Sequence, residues 1–360
     1  MRHFNLPKDH RPYIDKYFLR AKEVLEKDDL NPTVKAQVFI RRGGCKAYGI
    51  DEAIAIITKY AKNVKIWSLK DGDSFASGEI LMLIEAPIQE IIDLETMYLG
   101  VLSAETTMIN GRGEGNISFP RITQAMSKVT KLAGNRPVSY FGARHWRYDV
   151  DEEIASACFL GGAVNCSTDE GGKASGTKGI GTIPHALETI YHWKYGLEPA
   201  VWQATSAFDK HIDRSVPRIA LVDYANREII DSLDVADMVS GIRIDTCGEN
   251  YMQGVHPAIM PWGTTKGVSI DGVYLVRKLL NDSGYHDVKI ILSSGFGNPE
   301  KVKSFIEAEK SLKMKLFDSL GVGGVFESRM ATMDIIEVEG REIHKVGRLP
   351  KERSKLQRII

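Results

Sequence analysis

The sequence predicts an α/β protein: an irregular (β/α) barrel of about six to seven strands, with an N-terminal α+β sandwich domain completed by the C-terminal tail. Three observations predict it. From Val138 onward, short β-branched apolar runs alternate with segments of helical periodicity, the pattern of a parallel sheet. Within that stretch, residues 286–326 read strand, glycine-rich turn, helix, strand, glycine-rich turn, which is how such barrels commonly hold a phosphate late in their strand order. Ahead of it the texture is mixed, amphipathic helices with short strands and turns, and a glycine-rich break at 111–116 ends that block. The expected division is 1–115 for the N-terminal domain, 116–330 for the barrel, and 331–360 for a segment returning to the N-terminal domain.

Each element has its own warrant. In 13–29, Ile14, Tyr17, Phe18, Ala21, Val24 and Leu25 fall at helical spacing, and 34–41 alternates as a strand does. A second amphipathic helix covers 51–62. Short strands and turns fill 64–87, and one long helix is expected over 88–108, with Glu95 a polar exception on its apolar face. In the barrel, strands are expected at 138–141, 163–166, 218–223, 241–245, 288–292 and around Leu316 and Phe317. Helices are expected at 151–160, 184–195, 225–239, 268–281 and from Pro299 onward. Residues 246–266 form a long loop without periodicity, the kind that is often functional or mobile. From Met333 one more strand pair leads to a basic end, 345–358, which reads as a solvated tail.

Composition excludes several classes. Lys plus Arg and Asp plus Glu both number 47, so the formal net charge is zero, which argues against a dedicated nucleic-acid binder. The four cysteines (Cys45, Cys158, Cys166, Cys247) form no C-x-x-C pair, so neither zinc nor a disulfide scaffold is expected and a reducing cytoplasm fits. The N-terminus lacks the apolar core of a signal peptide, and no run approaches membrane-spanning length. A cytoplasmic protein with neither nucleic-acid nor membrane partners is the expectation.

Active groups of a (β/α) barrel sit just after its strands. There the sequence places Phe141, Arg144, His145 and Arg147. Asp223 closes IALVD, and Arg243 and Asp245 close GIRID on one face of their strand. A buried Arg and Asp two apart need partners, and a polyanion and sugar hydroxyls would serve. Ser294 and Gly295 after one strand, and Gly321, Gly323 and Gly324 after the next, offer backbone N–H groups that can approach an anion closely. In GTIPHAL, His185 lies in the first turn of a helix, whose positive end lowers an imidazole's pKa. A neutral histidine beside backbone donors is a nucleophile suited to a phosphoryl group.

In their shared order SYFGARH, GTIPHAL, GIRID, SSGFG and LGVGG resemble the nicotinate phosphoribosyltransferases, members of the type II phosphoribosyltransferase fold. Asp15-Lys16-Tyr17-Phe18 is similar to that family's D-x-Y-F opening, and DGDSFASGEILMLIEAP with Glu95 and Leu99 to its D-G…G-E-x-x-L…E-x-x-x-L segment. The resemblance covers nearly the whole chain apart from 246–270. It implies that nicotinate and phosphoribosyl diphosphate give nicotinate mononucleotide and diphosphate, in NAD salvage, by an ATP-coupled ligase. The pyridine nitrogen would displace diphosphate at the anomeric carbon through a cationic, sugar-centred transition state. Arginine, with Arg243 in the catalytic set, and Mg²⁺ would offset the leaving group's charge. Asp245 would face the sugar cation and hold ribose hydroxyls, while Asp223 and the two glycine turns hold the phosphoribosyl group. Phe141 and Tyr17 would stack on the base, and Arg144 would meet its carboxylate or the diphosphate. By the same resemblance His185 is phosphorylated by ATP. The site lies at a homodimer interface, with Tyr17 arriving from the neighbouring subunit.

The sequence departs from that family in three places. Tyr140 stands where an aspartate usually precedes the phenylalanine, His145 where a second arginine often follows Arg144, and SAETTMINGR sets Arg112 one place late. These departures leave the base open, with quinolinate and nicotinamide as alternatives. A barrel lyase would need an inward Schiff-base lysine, and Lys289 has no adjacent cation to activate it. A nucleotide sensor would keep the phosphate turns but need neither Asp245 nor His185.

Overall fold

Residues 4–111, 117–256, 258, 260–262 and 265–360 are described by a computed structural model. Arg112 and most of the 111–116 break lie outside those residues. Two six-stranded sheets organise the chain. One is antiparallel throughout, in the order Arg341–Glu342, Ala331–Val338, Thr33–Ile40, Ile80–Pro87, Lys65–Ser68, Gln357–Arg358. At its centre Val38 pairs with Met333 on one side and Met82 on the other, so the tail completes the N-terminal sheet as the sequence implied. Val34, Ala36 and Val38 are fully buried, in one core with Phe18, Ile57 and Leu99 from the helices Lys16–Lys27, Ile50–Tyr60 and Glu95–Asn110.

The helix expected over 88–108 is two, Ile88–Ile91 and Glu95–Asn110. Asp93 lies between them, buried, with His10 Nε2 and Lys22 Nζ at 2.9 and 3.0 Å from its carboxylate. The second helix therefore begins at Glu95, the residue that the apolar pattern marked as an exception.

The other sheet is parallel and curls into a half-barrel, in the order Asn165–Cys166, Val138–Tyr140, Ser319–Val322, Lys289–Leu292, Gly241–Ile244, Ile219–Leu221. Its two outer strands do not pair with each other. The segment just ahead of His185 spans that seam: Ile180 N donates to Cys166 O at 2.8 Å, and Thr182 Oγ1 donates to Ile219 O at 2.7 Å. The seam thus delivers the helix His185–Tyr195 to the rim of the sheet.

One strand is displaced from its expected place. The backbone N–H groups of Leu316 and Phe317 donate to Glu309 Oε1 at 2.7 and 3.4 Å, which takes them out of the ladder, and the strand starts at Ser319. Gly321 and Val322 are consequently its last residues, and Gly323 and Gly324 form the turn. Two helices went unread, Phe119–Ala133 and Ala200–His211, although Ile122, Met126, Val129 and Ala133 carry the spacing of the first. No helix among the described residues is long and apolar enough to cross a membrane.

Candidate active site

A cavity of about 380 Å³ opens at the C-terminal ends of the parallel strands, and the strand Ala331–Val338 with Lys345 and Arg348 forms its far wall. Tyr17, Phe141, Arg144, His185, Arg243, Asp245, Ser294, Gly295, Gly321, Gly323 and Gly324 all line it. Asp223 does not. It sits fully buried beneath His185.

Alternation along Gly241–Ile244 puts Arg243 and Asp245 on the cavity side, as the sequence implied. Arg243 Nη1 donates to Asp245 Oδ2 at 3.0 Å, and Nη2 donates to the carbonyl of Ile183 at 3.3 Å. Both side chains stay partly open, 16 % and 27 % exposed, so the pair can meet a ligand.

Beside it His185, 29 % exposed, meets the buried ion pair of Asp223 and Lys345. His185 Nε2 is 3.0 Å from Asp223 Oδ1 and 3.0 Å from Lys345 Nζ, and Lys345 is ion-paired with Asp223. Burial lowers the imidazole's pKa, and the Lys345 ammonium adds to the effect, so the ring is neutral. Burial works against the Asp223 carboxylate, but Lys345 and His185 overcome it and hold the carboxyl far below its usual range. Lys345 also loses by burial, and Asp223 more than restores its charge. The basic end is therefore not solvated where it begins: Lys345 is 5 % exposed, and Arg348 lies 3.8 Å from Asp334.

The two glycine turns need glycine for different reasons. Ser294 and Gly295 have φ of +68° and +86°, the left-handed region that favours glycine. At Gly321 the reason is space, since a Cβ would stand 2.5 Å from the Phe141 ring. At Gly323 it would stand 2.9 Å from His145 Nε2 and 3.0 Å from the carbonyl of Phe141. The turns also touch each other: a Cβ on Gly297 would lie 2.1 Å from the carbonyl oxygen of Gly324. Lys301 Nζ donates to the carbonyl of Ser294 at 3.0 Å, which steadies the strained residue.

At the aromatic end, Arg144 Nη1 donates to Glu95 Oε1 at 2.6 Å, and its Nε is 3.6 Å from Asp15 Oδ2. Burial pushes Glu95 up to about 7 in spite of Arg144. Burial, with Arg144 beside it, takes His145 down to about 4, and its Nδ1 lies 3.1 Å from Ser328 Oγ. Tyr140 points away from the cavity, its hydroxyl 3.3 Å from Asp151, so that departure leaves the site untouched. Arg147 turns outward to Glu52 and Glu105 at 2.9 and 2.8 Å. The chain's own Tyr17 lines the cavity. Neither Lys289, which is exposed, nor Lys345, held as an ammonium by Asp223, is suited to a Schiff base.

Comparison with known proteins places this geometry. Residues 15–105 match the quinolinate phosphoribosyl transferase N-terminal domain family. A nicotinate phosphoribosyltransferase of Bacillus subtilis is 23 % identical over 239 residues, 63 % of this chain, and the match spans 40 % of that relative's length. The fold is that of solved nicotinate phosphoribosyltransferases. The one from Vibrio cholerae has a TM-score of 0.68 at 12 % identity, over 93 % of this chain and 87 % of its own. The one from Porphyromonas gingivalis has a TM-score of 0.63 at 15 % identity, over 93 % and 92 %. The chain thus has the fold of these solved nicotinate phosphoribosyltransferases.

Proposed function

We propose that this chain transfers a phosphoribosyl group from phosphoribosyl diphosphate to nicotinate, releasing diphosphate. The observation that carries the reading is the convergence on one cavity of two glycine turns and the Arg243–Asp245 pair. Turn N–H groups suit the 5′-phosphate, and Asp245 suits the ribose hydroxyls. As the pyridine nitrogen bonds to the anomeric carbon, the bond from that carbon to diphosphate breaks and its electron pair leaves with the diphosphate. The sugar is cationic in between, and a carboxylate at that point stabilises it more than the ground state. Arg243 and Arg41 line the cavity and supply positive charge for the leaving group, while Lys345 is spent on Asp223. Phe141 and Tyr17 offer faces for the ring, and Arg144 offers a partner for its carboxylate.

Mg²⁺ belongs to this reading as an ion carried by the substrates' phosphates. Among the described residues no cluster of three or more His, Cys, Asp or Glu is placed to hold a metal, and Asp245 is the lining carboxylate at the phosphoribosyl end. ATP coupling is part of the proposal too. In the tautomer that donates Nε2–H to Asp223, the lone pair of His185 Nδ1 is the one left to take a phosphoryl group. Cytoplasmic location and a homodimer complete the proposal.

Diphosphate release measured with nicotinate, nicotinamide and quinolinate, each with and without ATP, tests it. Fastest release with nicotinate, stimulated by ATP, is expected. Preference for quinolinate without ATP would replace the base, and no release with any base would remove the reaction. γ-labelled ATP should leave an acid-labile, base-stable label on the wild type and none on His185→Ala.

A further inference from the structure

Arg144 is the positive group at the aromatic end of the cavity, and its charge is already shared. Glu95 accepts from it at 2.6 Å, Asp15 lies 3.6 Å away, and these two carboxylate side chains are only 5 % and 4 % exposed. His145 beside it carries no charge at neutral pH. One cation thus faces two buried carboxylates, and a base bearing a carboxylate would bring a third. Buried charge without a partner is costly, and a buried carboxyl meets that cost by taking a proton.

We propose that Glu95 is the group that takes this proton: as the base's carboxylate joins Arg144, one proton passes from solvent to a Glu95 carboxylate oxygen, and Glu95 becomes neutral. The proposal rests on the phosphoribosyl-transfer reading and refines it. A monocarboxylate base enters with a proton, a neutral carboxamide enters without one, and a dicarboxylate leaves a charge unmatched.

The neighbours single out Glu95. Asp15 keeps a second donor for its carboxylate, since Thr96 Oγ1 donates to Oδ2 at 3.0 Å. Asp334, from the strand Ala331–Val338, also bears on Glu95, and Arg348 lies 3.8 Å from it. Tyr17 and Tyr98 also face this cluster, and burial raises both phenols well above their ordinary value, so they stay neutral. Glu95 itself is raised by burial to about 7, close to the pH at which the base would bind.

Calorimetric titration of nicotinate into the full chain tests the proposal, at pH 8 in two buffers of different ionisation enthalpy. Close to one proton should be taken up per site, and the apparent Kd should rise with pH above neutrality, by up to about tenfold per unit. Nicotinamide should bind with no proton uptake. Glu95→Gln should bind nicotinate without uptake and with a flat pH profile. Nicotinate binding to the wild type without a proton, or an unchanged slope in Glu95→Gln, would overturn the proposal. Should the variant fail to fold, the wild-type proton count decides alone. Absence of binding by either pyridine is a different result, which overturns the phosphoribosyl-transfer reading and takes this proposal with it.

Discussion

The two walls of the cavity are built in opposite ways. On the barrel side, Arg243, Asp245, Ser294 and the glycines each stand within a few residues of the strand that delivers them. On the far side, Lys345 comes from beyond the antiparallel sheet and meets partners 122 and 160 residues away in sequence, Asp223 and His185. The Arg243–Asp245 pair on the barrel side stays 16 % and 27 % exposed, open to a ligand, whereas the Lys345 side chain on the far side is only 6 % exposed. The difference teaches that the wall carrying chemistry and the wall holding the site together are separable, and substitutions can separate them.

The largest effect is expected at the buried pair. Lys345→Met leaves the Asp223 carboxylate buried without its cation, which should cost about 3–5 kcal/mol in denaturant unfolding. Adding Asp223→Asn should recover much of that stability while leaving turnover low. A Lys345→Met protein as stable as wild type would erase the contrast between the walls. Next comes Asp245→Asn, where turnover should fall by about two orders of magnitude through lost transition-state stabilisation, with unfolding shifted by less than about 1 kcal/mol. A loss confined to KM would make Asp245 a holder of hydroxyls only. Gly323→Val should raise the donor KM by about tenfold, because its side chain would meet His145 and the Phe141 carbonyl. An unchanged KM in folded protein would remove that turn from the donor site. Smallest is Gly324→Ala, whose Cβ would have its nearest neighbour, His145 Cε1, at 4.0 Å. Its donor KM should stay within about twofold of wild type, and a larger rise would show that the turn needs more than open space.

The same contrast explains what the sequence disclosed. Period-two alternation placed Arg243 and Asp245 together because two residues on one strand face one way whatever surrounds them. His185 was readable because GTIP ahead of an apolar helix marks a helix start by local chemistry. Lys345 was not readable, since a lysine in a run of charges looks solvated until its partner, far away in sequence, is known. The displaced strand at Ser319 failed for a similar reason: Glu309, on the preceding helix, captures the amides of Leu316 and Phe317. The split of the 88–108 helix lies at Asp93, whose partners His10 and Lys22 are more than seventy residues away. Glu95 was visible as a misplaced polar residue, but its proximity to Arg144 was not.

The closeness of Gly297 to the carbonyl of Gly324 gives the glycine turns a mechanical meaning as well. Two strand ends in backbone contact cannot approach further, and each limits the inward travel of the other. The turns then act as the fixed jaws of a gauge, set by main-chain atoms that no side-chain rotamer can adjust. On the phosphoribosyl-transfer reading, this gauge would set the size of the anion that the turns admit. Drift at position 297 is closed to every residue with a Cβ, because the first carbon added would force the jaws apart.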